Sequence, residues 1–252
     1  MMTRYGVWMD EIPLHEIDPA VYVIDIEESV PAVNVMMSGR GMGDGTHVLS
    51  RRRQSLSVTV RVMVHEYDIA KRKEIFGKIA EWATNGKYLM ISDRPGQRLR
   101  VSCDIPPTAG SSLRWTNIVS VTFTAYEKPY WEDTEKTTIS KTGASGSMTM
   151  NVPGNAGKTT VDVKVENTGG AAITDFTVAV GDTQFAFSGI NIAPGATASC
   201  EYDDDGILHI PAQNRTPESS DDLLAVCGAN NAVSFTASGS CTVTVSARGR
   251  WL

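Results

Sequence analysis

The sequence predicts a mainly β protein with one helix, arranged as two successive domains. Three observations carry this. Leu56–Val64 places an apolar aliphatic residue at every second position without a break. A single stretch, 68–84, repeats apolar residues at three- and four-residue spacing. Beyond Trp131 the chain becomes a series of short alternating runs, separated by turn residues at intervals of roughly 8–12 residues.

Taken in order, the first strand candidates are Val21–Ile26 and Val33–Met37. Between Ser38 and Thr46 come four glycines, Gly39, Gly41, Gly43 and Gly45, in a loop with no Lys and no following helix. It is therefore no phosphate-binding loop, and reads as a loop tip that is disordered or ordered by a partner. His47–Arg53 returns as a second strand. In Leu56–Val64, the residues Leu56, Val58, Val60, Val62 and Val64 share one face, and Ser57, Thr59, Arg61 and Met63 share the other.

The helix opens at Asp68, a residue whose side chain can accept from an early backbone N–H. Ile75, Phe76, Ile79, Trp82 and Ala83 form its apolar stripe. Asn85-Gly86 closes it, with Gly86 able to adopt the left-handed cap conformation. Lying between two strands, the helix is long enough to serve as a crossover between strands that are not hairpin neighbours. Further strands are expected at Tyr88–Ile91, Leu99–Cys103 and Ile118–Tyr126.

A polar stretch of small residues, 134–160, reads as a linker or an edge strand. Strands follow at Thr160–Glu166, Phe176–Val180, Gln184–Ile190, Ala198–Tyr202, Ile207–Ile210, Ala232–Thr236 and Cys241–Ser246. Turn residues separate them, among them Asn167–Gly170, Pro194-Gly195 and Asp205-Gly206. This is the pattern of an all-β sandwich. The first domain is placed over 1–133 and the second over 134–245, with 246–252 as a terminal tail.

Composition removes several function classes. The 252 residues are 41% hydrophobic, outside the disordered class. Apolar runs are only a few residues long, far short of the ~20 a membrane helix needs. The first residues carry acids where a secretory leader has an apolar region, so synthesis and folding in a cytoplasm are expected. Net charge is −6. Residues 1–133 hold 16 basic against 17 acidic side chains, and 134–252 hold 7 against 12. Neither part has the basic excess that duplex binding requires.

Cys103, Cys200, Cys227 and Cys241 are widely separated, as are the four histidines. No zinc spacing results, and the thiols are expected reduced and mostly buried. Asp203-Asp204-Asp205-Gly206 has a calcium-loop look, but a strand pattern follows where such a loop needs a Glu and a helix. A hairpin turn accounts for it. No carboxylate pair, nucleophile, cofactor motif or metal site stands out, so no enzyme activity and no cofactor are expected. Arg51-Arg52-Arg53 is the one basic run. Three readings stay open for it: a solvated face, a protein contact and a nucleic-acid contact.

Two stretches carry a family resemblance. One is WTNIVSVTFTAYEKPYWE, 115–132, a long alternating strand that runs into Pro129-Tyr130-Trp131. The other is 223–252, with its Gly-x-Asn turn, "VSFT" and "VTVS" strands and terminal Arg250-Trp251-Leu252. Gly154-Asn155-Ala156 followed by "TTVDVKVEN", and the order helix, "GKYLMISDRPGQRLRV", long strand, agree with both. The chain resembles the distal tail proteins (Dit) of long-tailed bacteriophages over nearly its whole length.

That resemblance implies a β-rich N-terminal domain whose copies form a hexameric ring around an open channel, and a galectin-like β-sandwich projecting from it. It implies a hub in the virion tail tip, assembled in the host cytoplasm, between the tail tube and the baseplate or tip proteins. The family has no catalytic residues to carry over. On this reading the Gly39–Gly45 loop and its flanking strands form an arm to a neighbouring copy, with Gly41, Gly43 and Arg51–Arg53 as the subunit contact. Pro129, Tyr130, Trp131, Arg250 and Trp251 are placed at the domain junction, since a Trp next to a chain end is costly unless it docks. The alternative function is a carbohydrate-binding sandwich for host-surface adhesion, which is weakened because the aromatics after Trp131 are few (Phe176, Phe185, Phe187, Tyr202, Phe235 and Trp251) and most fall on strand positions suited to the core.

Overall fold

The computed structural model describes residues 6–39, 46–104, 117–181, 183–202, 208–209, 218–219, 224–226 and 228–252. Gly41, Gly43, Cys227 and the Asp203–Gly206 turn lie outside them. The described chain is mainly β, as the alternation requires, and forms two compact units: 1–131 with Leu252, and 132–251.

In the first unit the elements are β1 (Val7–Met9), β2 (Ile12–Pro13), α1 (Leu14–Ile17), β3 (Val21–Glu28), β4 (Val33–Gly39) and β5 (Thr46–Arg53). Then come β6 (Leu56–Val64), α2 (Ile69–Asn85), β7 (Tyr88–Ile91), β8 (Gln97–Arg100) and β9 (Ile118–Ala125). Antiparallel β3, β6 and β9 make one sheet, ordered as named. Val58, Val60, Val62 and Val64 on its inner face are at most 1% exposed, together with Val121 and Phe123 of β9. The short strands β2, β1, β7 and β8 make a second sheet, whose inner residues Val7, Met9, Leu89, Ile91 and Leu99 are also buried.

The helix starts and stops where the sequence places its ends, and only the conformation of its closing glycine differs. Asp68 caps it by accepting from Ala70 N at 2.8 Å. All five stripe residues are buried, and Trp82 meets Phe123 edge to face at 6.0 Å. Gly86, however, is extended (φ −88°, ψ 159°), not left-handed. Its glycine answers a different need: a β-carbon there would overlap Met9 Cγ. The strands flanking the helix belong to different sheets, so α2 connects two strands that are not hairpin neighbours.

β4 and β5 stand apart as a two-stranded antiparallel sheet, pairing with no other strand among the described residues.

β10 (Trp131–Asp133) carries the chain into the second unit. There the elements are β11 (Thr137–Met150), β12 (Thr159–Asn167), β13 (Ile173–Val180), β14 (Thr183–Ile192) and β15 (Thr197–Tyr202). β16 (Leu208–His209), β17 (Glu218–Ser219), β18 (Ala225–Val226), β19 (Asn231–Ala247) and β20 (Arg250–Trp251) complete it. The two strands expected at 232–236 and 241–246 are one 17-residue strand, β19. Its first part pairs with β13, and its second with β12. β11 accompanies it throughout, broken by a bulge between Gly143 and Ser145. The stretch that reads as linker or edge strand is thus a 14-residue strand. Hydroxyls line its outer face, where Thr138 meets Ser246 at 3.1 Å and Thr142 meets Thr242 at 2.8 Å.

The inner faces of β12, β13, β14 and β19 merge into one core containing Val163, Phe176, Phe185 and Val243. Asn167, 1% exposed, fixes the turn after β12: it donates to Ala171 O and Ile192 O and accepts from Gly169 N.

Candidate assembly surface

The features that stand out are a ribbon with nothing packed around it, a polar sheet face, and two side-chain clusters beside the crossing at β10. The ribbon comes first. Opposite residues of an antiparallel pair share a face. The register pairs Val33 with Arg53, Val35 with Arg51 and, past a bulge at Leu49, Met37 with Val48. One ribbon face thus carries four apolar residues and two arginines. The other carries Asn34, Met36, Ser38, His47, Ser50 and Arg52. Val33, Met36, Met37, Val48 and Leu49 are 42–61% exposed, a concentration of apolar surface unusual for strands. Arg51, Arg52 and Arg53 are exposed, and none is in an ion pair among the described residues.

The outer face of the β3–β6–β9 sheet is built by the same alternation. Its rows are Tyr22–Met63–Ile118, Asp25–Arg61–Ser120 and Glu27–Thr59–Thr122. Ile24 is the bulged residue of β3 and is 42% exposed. The alternating pattern makes this face legible in β6 and β9. The acids of β3 carry no sequence signal of their own.

Trp131 is fully buried in the first unit. Its indole N–H donates to Glu28 Oε2 at 3.1 Å, and the same oxygen accepts from Arg94 Nε at 2.9 Å. The Arg94 guanidinium lies 5.2 Å from the Trp131 ring centroid and donates to Leu252 O at 3.2 Å. Pro129 is buried and Tyr130 half-buried. In the second unit, Arg250 pairs with Glu132 at 3.2 Å, both side chains close to one-tenth exposed. Arg250 also donates to Lys158 O at 2.9 Å, and Trp251 donates to Asp133 Oδ1 at 2.8 Å. Arg248 reaches Asp133 O and Thr134 O. Trp131 and Trp251 thus each have a hydrogen-bond partner within their own unit. The partners Glu28, Arg94, Glu132 and Asp133 are not evident in the sequence, because strand and loop acids look alike until the fold pairs them.

Two depressions, of about 540 and 330 Å³, flank Trp8; Glu11, Ser92 and Arg94 are among the residues lining the larger, and His15 and Ser92 among those lining the smaller. Among the described residues, no three His, Cys, Asp or Glu side chains are grouped to hold a metal ion, and no helix is long and apolar enough to cross a membrane. Cys241 is buried, whereas Cys103 and Cys200 are only half-buried, short of the burial expected of them. Burial, with Glu201 adding to it, pushes the Cys200 thiol up to about 11. Burial raises Cys103 and Cys241 as well. These thiols stay protonated at neutral pH and are poor nucleophiles. Phe176, Phe185, Phe187 and Phe235 are buried in the sandwich core, so they offer no platform to a sugar; Tyr202 and Trp251 are half-buried.

No protein-family profile matches the chain, and no curated protein matches it. Solved structures do. One is the SPP1 Dit (gp 19.1) protein, described as a paradigm of the hub adsorption apparatus in phages infecting Gram-positive bacteria. It superposes with a TM-score of 0.67 at 13% identity, covering 98% of this chain and 99% of that one. The phage P2 baseplate in its activated conformation with Ca matches with a TM-score of 0.47 at 6% identity, over 99% and 98% of the two chains. The likeness to the SPP1 protein establishes a shared fold along the length of both chains.

Proposed function

We propose that this protein is a structural hub of a long-tailed phage. Six copies of its first unit close into a ring around an open channel, and the ring joins the tail tube to the baseplate or tip. The second unit acts as a galectin-like sandwich projecting outward from the ring. The observation that carries this reading is the fold likeness to the SPP1 hub protein, which extends over both units and not over one shared module.

Three features support it. A two-stranded ribbon is marginal by itself in water, so β4–β5 is built to be completed by something else. Its apolar and arginine face has the composition of a protein contact. The charge balance of residues 1–133 suits a channel through which DNA must slide, because strong phosphate neutralisation would arrest it. On this reading the protein binds and positions its neighbours and transforms no substrate. No observation favours the carbohydrate-binding alternative, whose phenylalanines are committed to the core.

Negative-stain electron microscopy of the purified full chain tests the proposal. Six-fold rings with a central hole are expected. Single particles of one-copy size at every concentration would overturn it.

A further inference from the structure

We infer that the apolar and basic face of the β4–β5 ribbon docks on strand β3 of a second copy, where Arg51 and Arg53 meet Asp25 and Glu27. The inference rests on the ring reading and names the surface through which the ring would close.

The two patches match in composition, order and spacing. The donor patch runs from an apolar pair, Met37 and Val48, to Arg51 and Arg53, which lie opposite Val35 and Val33. The acceptor runs from an exposed apolar residue, Ile24, to Asp25 and Glu27. Both charge pairs are two residues apart on a strand, a separation of about 6.7 Å in each case. Two rows of equal pitch let both ion pairs form in one register. β3 is also an edge strand, with β6 on one side and no strand on the other among the described residues. Its bulge at Ile24 interrupts regular pairing there, so the contact is made by side chains laid across the strand, not by continuation of the sheet.

Neither patch is satisfied by an ion pair among the described residues: Asp25, Glu27, Arg51 and Arg53 form none there. Asp25 does accept the neighbouring Ile26 N–H at 3.0 Å, which holds its carboxylate at the strand edge. Arg61, opposite Asp25, is the one other charge in these rows. Because donor and acceptor are different surfaces of one molecule, the contact is head to tail, the kind of contact that a closed ring of identical copies repeats. Burying opposed apolar residues supplies the adhesion, and the two charge pairs fix register and reject misaligned partners.

Charge reversal tests this on the full chain, with mass followed by sedimentation over a wide concentration range. Arg51→Glu/Arg53→Glu and Asp25→Arg/Glu27→Arg should each weaken assembly at least tenfold. Each leaves the far-ultraviolet dichroism unchanged, since all four side chains lie outside the core. Mixing the two variants should restore assembly, because each supplies the sign the other needs, and six is an even number of places. The four-fold variant should assemble by itself. If the wild type assembles and neither reversal weakens it, or mixing restores nothing, this docking is wrong and the ring reading stands. If the wild type remains single, both fall.

Discussion

Removing the guanidinium of Arg250 should unfold the second unit far more easily than a residue so near the chain end suggests. Arg250 and Glu132 are 12% and 10% exposed and 3.2 Å apart. In Arg250→Ala, Glu132 keeps its charge, loses its partner and stays largely out of water. Lys158 O loses a donor as well. Breaking a buried pair from one side costs about 3–5 kcal/mol, most of it the stranded charge. For a unit of this size that amounts to a drop in melting temperature of roughly 10–20 °C.

The double change Glu132→Leu/Arg250→Met separates the stranded charge from lost packing. It removes both charges and retains volume, so it should lie within about 1 kcal/mol of wild type, or above it. Calorimetry of the full chain, following the transition that shifts, gives both numbers. An Arg250→Ala protein within about 0.5 kcal/mol of wild type would refute the reasoning. So would a double variant as unstable as the single one.

Three other expectations follow from the same geometry. Glu28→Ala should cost about 2–3 kcal/mol, because it orphans the buried Trp131 N–H and releases Arg94; in a Trp131→Phe background it should cost at least about 1 kcal/mol less, as a urea double-mutant cycle would show. Cys200 ionises near 11 when folded against an ordinary 9.0, so its neutral form favours the fold. That contribution is complete below pH 9 and disappears as pH rises to about 11; urea midpoints of wild type and Cys200→Ala should therefore converge by roughly 1–2 kcal/mol across that window. In α2, Gly77 has open space around it, so Gly77→Ala should add about 0.5–1 kcal/mol, whereas Gly86→Ala should cost about 1–3 kcal/mol by displacing the buried Met9, both read from thermal melts.

Strands with unbroken alternation were legible to within a residue or two. Leu56–Val64 and Tyr88–Ile91 coincide with β6 and β7, because one face of each is wholly committed to the core. The helix stripe was legible for the same reason. β11 was not, since its Ser, Thr and Gly residues are shared by linkers and by strands whose outer face is solvated. β19 read as two strands because Ser238-Gly239-Ser240 looks like a turn, whereas it is where the strand passes from one partner to another. Gly86 shows a further limit: sequence marks a place where a side chain is excluded, but not whether backbone angle or a neighbour excludes it. The arginine run was visible as a charge cluster. Its partnership with the ribbon's apolar residues emerged only from the register, which the bulge at Leu49 shifts by one position.

The central claim is that copies of this chain complete one another's surfaces in a closed ring. Native mass measurement of the full chain tests it most directly. With a chain mass of 27.2 kDa, six copies give about 163 kDa, and that species should dominate at micromolar concentration without heavier open-ended forms. A single 27.2 kDa species persisting at high concentration, or a continuous ladder of masses with no closed state, would contradict it.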